Sequence, residues 1–243
     1  MALIQLTQVH KSLGGQEILR GIDLHIREGE SVVLMGPSGA GKSVILRHIV
    51  GLLSPDKGEV KVEGRPIQRL DRNELSALRK DMGYLFQHAA LINWLNVFEN
   101  VALPLRECTN FKEKEIREKV GKVLEQVRLL EAINKFPSQL SGGMQKRVGL
   151  ARALVTEPRI ILYDEPEAGL DPEMTTDILH LLNRLKQEIK PTTLTVTHSL
   201  DCATKLGDRI AVFEQGRILL DAPLPEVLAS NHPRVRSLLG IAQ

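Results

Sequence analysis

The sequence is poor in aromatic residues, which make up 3% of its 243 positions, and its formal net charge is only +2. So few aromatic rings leave little material for a platform on which nucleic-acid bases stack. The charged residues also form no dense basic run or arm of the kind that binds a phosphate backbone. Both scarcities argue against nucleic acid as a partner.

Cysteine is equally scarce. Cys108 and Cys202 are the only two, and they lie far apart with no CxxC pair. We expect two free thiols in a reducing compartment rather than a disulfide or a thiolate metal site.

Long apolar runs are also missing. No stretch approaches the roughly 20 residues of a membrane-spanning helix, and the first residues lack the basic-then-apolar order of a secretory signal. We therefore expect a cytoplasmic protein that reaches a membrane only through a partner. With 42% hydrophobic and 26% charged residues, the chain suits one large α/β domain over residues 1–243 with an inserted subdomain.

Apolar periodicity divides the chain into strand-rich and helix-rich stretches. Residues 89–158 have helical character and are predicted to form the insertion, whereas strand patterns lie before and after them. A Gln215-Gly216 hairpin turn is predicted before the last strand. The predicted strands are residues 2–9, 18–26, 31–35, 60–62, 159–163, 192–197, 209–213 and 217–220.

Two helices are predicted in detail from apolar residues spaced three or four apart. In the second of them, Asp171 is the expected N-cap and Pro172 the first helical residue. The expected buried positions are Ile116, Val120, Val123, Val127 and Leu130 in the first helix, and Met174, Ile178, Leu181, Leu185 and Ile189 in the second.

A complete phosphate-loop pattern, G-x-x-x-x-G-K-S/T, lies between a predicted strand and a predicted helix. Its residues are Gly36, Pro37, Ser38, Gly39, Ala40, Gly41, Lys42 and Ser43. The glycines let backbone N–H groups turn around an oxyanion, and the helix start adds its positive dipole end. We expect Lys42 to reach the β- and γ-phosphates of a nucleotide and the Ser43 hydroxyl to ligate Mg²⁺. The alternative is a chance glycine turn before a helix.

Two carboxylates, Asp164 and Glu165, directly follow an apolar strand. Open α/β sheets bind ligands beyond the carboxyl ends of their strands. We expect Asp164 to hold Mg²⁺ through water and Glu165 to polarise the attacking water. Pro166 ends the strand here, which argues against the alternative of an exposed acidic turn.

A second phosphate-binding surface is predicted at Ser141, Gly142 and Gly143. Ser141 is the expected cap of a helix over residues 144–154, and the glycines leave the first N–H groups of that helix accessible to an anion. The chain has only one lysine-bearing loop, so this surface most simply completes the nucleotide site of a second copy. Ser-Gly-Gly by itself is common in turns, and the prediction depends on the other two motifs.

Together these motifs resemble the ATP-binding-cassette ATPase family along essentially the whole chain. The resemblance implies a P-loop NTPase core, an N-terminal antiparallel β region and an inserted helical subdomain at about 89–158. Gln87 is similar to the family's Mg²⁺-ligating glutamine, and Leu170-Asp171 to the loop that touches the opposing subunit. His198 is similar to the histidine that contacts the γ-phosphate, the alternative being a packed core histidine. Leu13 stands nearest to the family's adenine-stacking aromatic, which implies loose base selectivity.

Within the family, several segments resemble the Mla- and Mce-associated ATPases of phospholipid transport. This resemblance implies a membrane permease, an MCE-type periplasmic lipid-binding protein, a STAS-domain protein and a place on the cytoplasmic face of the bacterial inner membrane. Residues 90–106 are the expected permease contact, with Leu91, Val97 and Val101 in the core. The segments are residues 86–91, 96–107, 140–144 including Met144, 168–172 and 232–236.

We therefore expect a Mg²⁺-dependent ATPase, working as a homodimer or as one of two cassettes, that drives lipid transport through a permease. Import of amino acids or other small solutes is the alternative within the same class. Cassettes that clamp nucleic acid or ribosomes usually carry coiled coils or basic extensions, which this sequence does not contain. A switch GTPase needs Asn-Lys-x-Asp, and residues 134–137 read Asn-Lys-Phe-Pro.

Overall fold

A computed structural model describes residues 2–240. Its backbone forms two compact units, one with the described residues up to Ala77 and from Ile189 onward, the other with Leu78–Glu188. The strands are β1 (Ala2–Leu13), β2 (Gln16–Arg27), β3 (Ser31–Met35), β4 (Lys57–Val62), β5 (Arg65–Pro66), β6 (Met82–Leu85), β7 (Ile160–Asp164), β8 (Thr192–Thr197), β9 (Arg209–Glu214) and β10 (Arg217–Pro223). The helices are α1 (Lys42–Ile49), α2 (Arg72–Lys80), α3 (Val97–Cys108), α4 (Glu113–Gln126), α5 (Gly142–Leu154), α6 (Pro172–Ile189), α7 (Leu200–Leu206), α8 (Leu224–Leu228) and α9 (Pro233–Leu239).

The first unit begins with an antiparallel sheet in the order β2, β1, β4, β5. Ile4, Leu6 and Val9 of β1 are fully buried. They pair with the apolar residues Ile26, Leu24 and Ile22 of β2, which cross-strand packing favours. The predicted N-terminal antiparallel region is confirmed.

The same unit contains three parallel strands, with β3 between β8 and β9, and β10 follows β9 in antiparallel pairing. Every residue of β3 and of β8 is buried, as expected for strands covered on both faces. The turn between β9 and β10 is the predicted one, since Gln215 and Gly216 have φ angles of 48° and 78°.

The second unit combines the parallel pair β6 and β7 with the helices α3, α4 and α5. Asn96 caps α3 by accepting a hydrogen bond from the Glu99 N–H at 2.8 Å. Buried Asn100 accepts from the Ile92 N–H at 2.8 Å and donates to the carbonyls of Ile92, Leu95 and Asn96. These bonds fix the loop before α3, in which the Trp94 side chain is 79% exposed.

The helix predictions are correct in their centres and wrong at several ends. Leu130 is 40% exposed because α4 ends at Gln126 and Leu130 begins a 3-10 turn, Leu130–Ala132. Met174 and Ile189 are 36% and 42% exposed, since they lie in the first turn and at the last residue of α6. Leu91, expected in the core with Val97 and Val101, is only half-buried.

No helix within residues 2–240 combines the length and the apolarity that crossing a bilayer requires.

Candidate nucleotide-binding site

The phosphate loop begins where β3 ends, and its first glycine is enclosed by main chain. A Cβ atom on Gly36 would lie 2.1 Å from the carbonyl oxygen of Phe213. The Gly36 N–H donates to the carbonyl of Thr197 at 3.2 Å. Only glycine fits this approach, which ties the loop to the ends of β8 and β9.

The end of the loop has an equally strict geometry. Gly41 precedes α1 with a φ of 101°, and a Cβ there would lie 2.4 Å from Cγ2 of Ile18. Lys42 is 4% exposed, and its Nζ donates to the carbonyls of Gly36 at 2.9 Å and Pro37 at 2.8 Å. The ammonium group therefore lies inside the loop, where an oxyanion would meet it.

His198 lies beside the phosphate loop in the first unit. It follows β8, whose last residue Thr197 is in register with Met35 at the end of β3. His198 is exposed, so the alternative of a packed core histidine is wrong. Leu13 ends β1 at its hairpin with β2 and is 37% exposed.

In the second unit, the ends of β6 and β7 bring three of the predicted polar residues together. Gln87 follows β6, and its Nε2 donates to Oε2 of Glu165 at 3.3 Å. Asp164, 6% exposed, accepts a hydrogen bond from the Tyr84 hydroxyl at 3.0 Å. Sequence reasoning missed Tyr84, which alternation along β6 alone does not distinguish from a packing residue.

Glu165 has an unusual backbone conformation, with a φ of 44°. The left-handed region is costly for a residue with a Cβ, so the surrounding structure must impose it. The Lys146 ammonium of α5 donates to the Glu165 carbonyl at 3.1 Å. Sequence reasoning also missed Lys146, although a lysine on the face of α5 that also carries Leu150 and Ala153 is a recognisable signal.

The paired glycines open α5 as predicted. Ser141 is the N-cap, and its Oγ accepts from the Met144 N–H at 3.3 Å. Ser141 and Gly142 are exposed, and a Cβ on Gly143 would lie 3.1 Å from Sδ of Met174. The first turn of α5 therefore lies at an exposed start of the helix, with little room for a side chain at Gly143.

Comparisons with known proteins decide the family. The ABC transporter family matches residues 19–168. The chain belongs to this family. It is 41% identical over 237 residues, 98% of its length, to the "Probable ribonucleotide transport ATP-binding protein mkl" of Mycobacterium leprae, and it spans 68% of that protein. It is 43% identical over 223 residues, 92% of its length, to the "Methionine import ATP-binding protein MetN" of Wolinella succinogenes, of which it spans 73%.

A solved relative extends the match to structure. It is an ATP-binding cassette in a dimeric, post-hydrolysis state bound to ADP and Pi. The TM-score is 0.83 with 37% identity, covering 91% of this chain and 98% of the other. Membership in the ABC transporter family confirms the predicted fold class, the ATPase activity, and ATP with Mg²⁺ as cofactors.

The cassette's candidate metal ligands suit Mg²⁺. Ser43, Gln87 and Asp164 offer a hydroxyl, an amide oxygen and a carboxylate, which are the hard oxygen donors that Mg²⁺ prefers. Within residues 2–240, no group of three or more His, Cys, Asp or Glu side chains could hold a metal ion. Mg²⁺ usually takes only a few protein ligands and keeps water and substrate phosphates as the others.

The cassette helix α5 also holds the segment after Gln87. Arg152 donates to the carbonyls of Ala89 at 2.6 Å and Ala90 at 2.8 Å, both of which have positive φ angles. A Cβ on Gly149 would lie 3.0 Å from the Cβ of Ala89. Sequence reasoning missed these contacts because they join residues about 60 positions apart.

Proposed function

We propose that this cassette is the ATPase subunit of a membrane transporter in which two copies bind two ATP molecules. Each ATP is held by the Lys42 loop of one copy and by Ser141, Gly142 and Gly143 of the other. The observation that carries the proposal is the exposed, Ser141-capped start of α5, which offers N–H groups but no lysine. Such a surface binds phosphate weakly alone and strongly when a second copy supplies the rest of the site.

The proposed roles follow the chemistry of each side chain. Glu165 accepts a proton from the attacking water, and Gln87, bonded to its carboxylate, helps to orient it. His198 contacts the γ-phosphate from the end of β8. Leu13 packs against the base without the stacking that an aromatic ring provides, so base selectivity is loose.

Ser43, Gln87 and Asp164 are the proposed Mg²⁺ ligands. The ion, when bound, neutralises charge on the β- and γ-phosphates during transfer to water. Buried Asp164 is oriented for this role by the Tyr84 hydroxyl.

We further propose that residues 1–243 form one cassette with its helical insertion at about 89–158, working on the cytoplasmic face of a bacterial inner membrane. A permease contacts residues 90–106. The 79% exposed Trp94 supports this surface, because the bonds of Asn100 hold its loop in place and leave the indole accessible. Exposed aromatic residues are enriched where proteins bind one another.

For the cargo, we propose lipid transport of the Mla or Mce type, with MCE and STAS-domain partners. The support is the resemblance of residues 86–91, 96–107 and 232–236 to that branch, together with Met144. Import of an amino acid or another small solute is the second candidate, favoured by the 43% identity to a methionine import protein.

The proposed role of Glu165 is tested by Glu165→Gln. We expect ATP binding to persist while turnover falls by about 10²–10⁴-fold, which is the usual contribution of a general base to the rate. Light scattering should then show a dimer that forms with ATP and persists. Turnover at the parent rate in a folded Glu165→Gln protein would refute the base assignment.

The cargo proposal needs the membrane partner. The cassette is purified from its native membranes with whatever binds it, and the associated proteins and extracted lipids are identified by mass spectrometry. A permease with an MCE protein and bound phospholipid is the expected result. A permease with a solute-binding protein and no enriched lipid supports the importer instead.

A further inference from the structure

A buried lysine on helix α5 has no role in the function proposed so far. Lys146 is 4% exposed, whereas lysine side chains are almost never this buried unless they are paired. Its neighbours along the same helix face, Leu150 and Ala153, are also buried. Removing an ammonium group from water is costly, so its surroundings must offset the cost.

The surroundings of Lys146 are the acidic residues that end β7. Its Nζ donates to the Glu165 main-chain carbonyl at 3.1 Å, and it interacts electrostatically with Glu167, Asp164 and Glu165. Glu167 and Asp164 are 7% and 6% exposed, so little water screens these charges. Burial lowers the pKa of Lys146, and the three carboxylates oppose this shift without cancelling it.

The carbonyl that Lys146 holds belongs to a strained residue. Glu165 has a φ of 44° and directly precedes Pro166. A residue before proline is restricted to extended conformations, so the left-handed conformation at Glu165 persists only when neighbouring groups impose it. A charged donor on its carbonyl oxygen is a suitable restraint, because charge-assisted hydrogen bonds are about twice as strong as neutral ones.

We propose that Lys146 is a positioning residue for hydrolysis, holding the Glu165 main chain so that the Glu165 carboxylate faces the attacking water. The inference rests on the proposed role of Glu165 as the base. Lys146 lies five residues beyond Ser141 on the same helix, which in the proposed dimer contacts the ATP of the other copy. In this proposal, one end of helix α5 contacts the ATP bound by the other copy, and Lys146 on the same helix contacts the catalytic base Glu165 of its own copy.

A purely structural role for Lys146 predicts different behaviour. An ammonium that only neutralises buried acids affects folding stability, and with it binding and turnover together. A positioning residue affects kcat more than KM, because ATP binding depends on the phosphate loop and the Glu165 carboxylate acts only in the reaction.

The test compares variants of the full chain by Mg²⁺-ATP turnover, KM for ATP and melting temperature. Lys146→Met keeps the length of the side chain and removes its charge. We expect kcat to fall on the order of tenfold or more, as for a misplaced catalytic group, while KM changes less than about twofold. Lys146→Arg, which retains a charged donor, should recover most of the loss.

Lys119→Met is the matched control. Lys119 is also a lysine of this unit paired with a glutamate, Glu157 at 2.9 Å, but it is 31% exposed and lies on α4. Its loss should leave kcat and KM within about twofold, as expected for a surface ion pair.

Three results would overturn the proposal. One is a folded Lys146→Met protein with kcat within twofold of the parent. Another is a loss of kcat matched by a rise in KM and not recovered in Lys146→Arg. If Lys146→Met does not fold, Lys146→Gln is measured instead, and parental kcat there is the third. Glu165→Gln is measured in parallel to distinguish failure of the Lys146 proposal from failure of the Glu165 assignment. Parental turnover in Glu165→Gln refutes the assignment of Glu165 as the base.

Discussion

Two helix starts in this molecule use glycine to expose backbone N–H groups, and they differ in what surrounds those groups. At α1, Gly41 has a left-handed backbone and no side chain caps the helix. Buried Lys42 fills the loop from inside. At α5, the Ser141 hydroxyl caps the helix, and Gly142 is exposed without a cation in the first turn.

By this comparison, the loop before α1 has most features of an anion site, whereas the start of α5 has only some of them. The α1 loop combines the N–H groups of a helix start with a buried ammonium group, and we expect this pair of features to bind phosphate within one chain. The α5 start offers donors on an open surface, where water competes for them and no charge compensates the phosphate. We therefore expect the α5 surface to bind the nucleotide of a second copy rather than a free anion.

Of the changes predicted here, removing Lys42 from the α1 loop should have the largest effect. Lys42→Ala leaves the loop without its cation, and we expect a loss of about 2–3 kcal/mol in ATP binding, roughly 100-fold, with a comparable loss of turnover. Fluorescent-nucleotide binding measures it. Lys205→Ala, which removes a half-buried lysine paired with exposed Asp201, is the control and should bind ATP normally.

Crowding the start of α5 should have a smaller effect and a different one. In Gly143→Val the new side chain meets Met174 and covers the N–H surface. We expect ATP binding by the monomer to be unchanged, while ATP-dependent dimerisation and turnover fall about tenfold, or ~1.4 kcal/mol. Gly121→Ala on α4, where a Cβ meets nothing within 4 Å, is the control. Weaker ATP binding by the Gly143→Val monomer would mean that the two helix starts do not act separately.

Removing the cap of α5 tests its local stability. Ser141→Ala deprives the Met144 N–H of its partner, which costs about 1 kcal/mol. For a chain of this length we expect the melting temperature to fall by ~2–4 °C. Because Ser141 is exposed, Ser141→Gly should cost less than Ser141→Ala. An unchanged melting temperature in Ser141→Ala would show that the hydroxyl does not stabilise the helix.

The smallest expected effect concerns the strand before the phosphate loop. Burial raises the pKa of Glu30, but hydrogen bonds from Arg209 and from the Arg27 main chain outweigh it and hold the pKa below its usual value. This stabilisation is present above the unfolded pKa of about 4.3 and is lost as the pH falls through the lower folded value. The melting temperatures of the parent and Arg209→Met should therefore differ by about 1–2 °C at pH 7 and by less at pH 3.

Local chemistry made much of the site predictable. The phosphate loop, the Ser141 and Asp171 caps and the Gln215-Gly216 turn each depend on residues within a few positions of one another. Asp171 accepts from the Met174 N–H at 2.8 Å, as its place before Pro172 predicts. Burial was less predictable at Leu130, Met174 and Ile189. These residues lie at or beyond helix ends, and apolar spacing does not show where a helix ends.

The sequence by itself determined the candidate phosphate-binding segments, because the glycines, cap and lysine that favour an anion at a helix start lie within a few positions of one another. The sequence also determined the family, because the ABC transporter family matches residues 19–168. Only the tertiary structure decided that the Lys146 ammonium and the Arg152 guanidinium are turned inward from α5, to the carbonyls of Glu165 and Ala89. Those contacts cross about 20 and 60 positions of chain, and their geometry is set by how α5 packs beside β6, which no local pattern encodes.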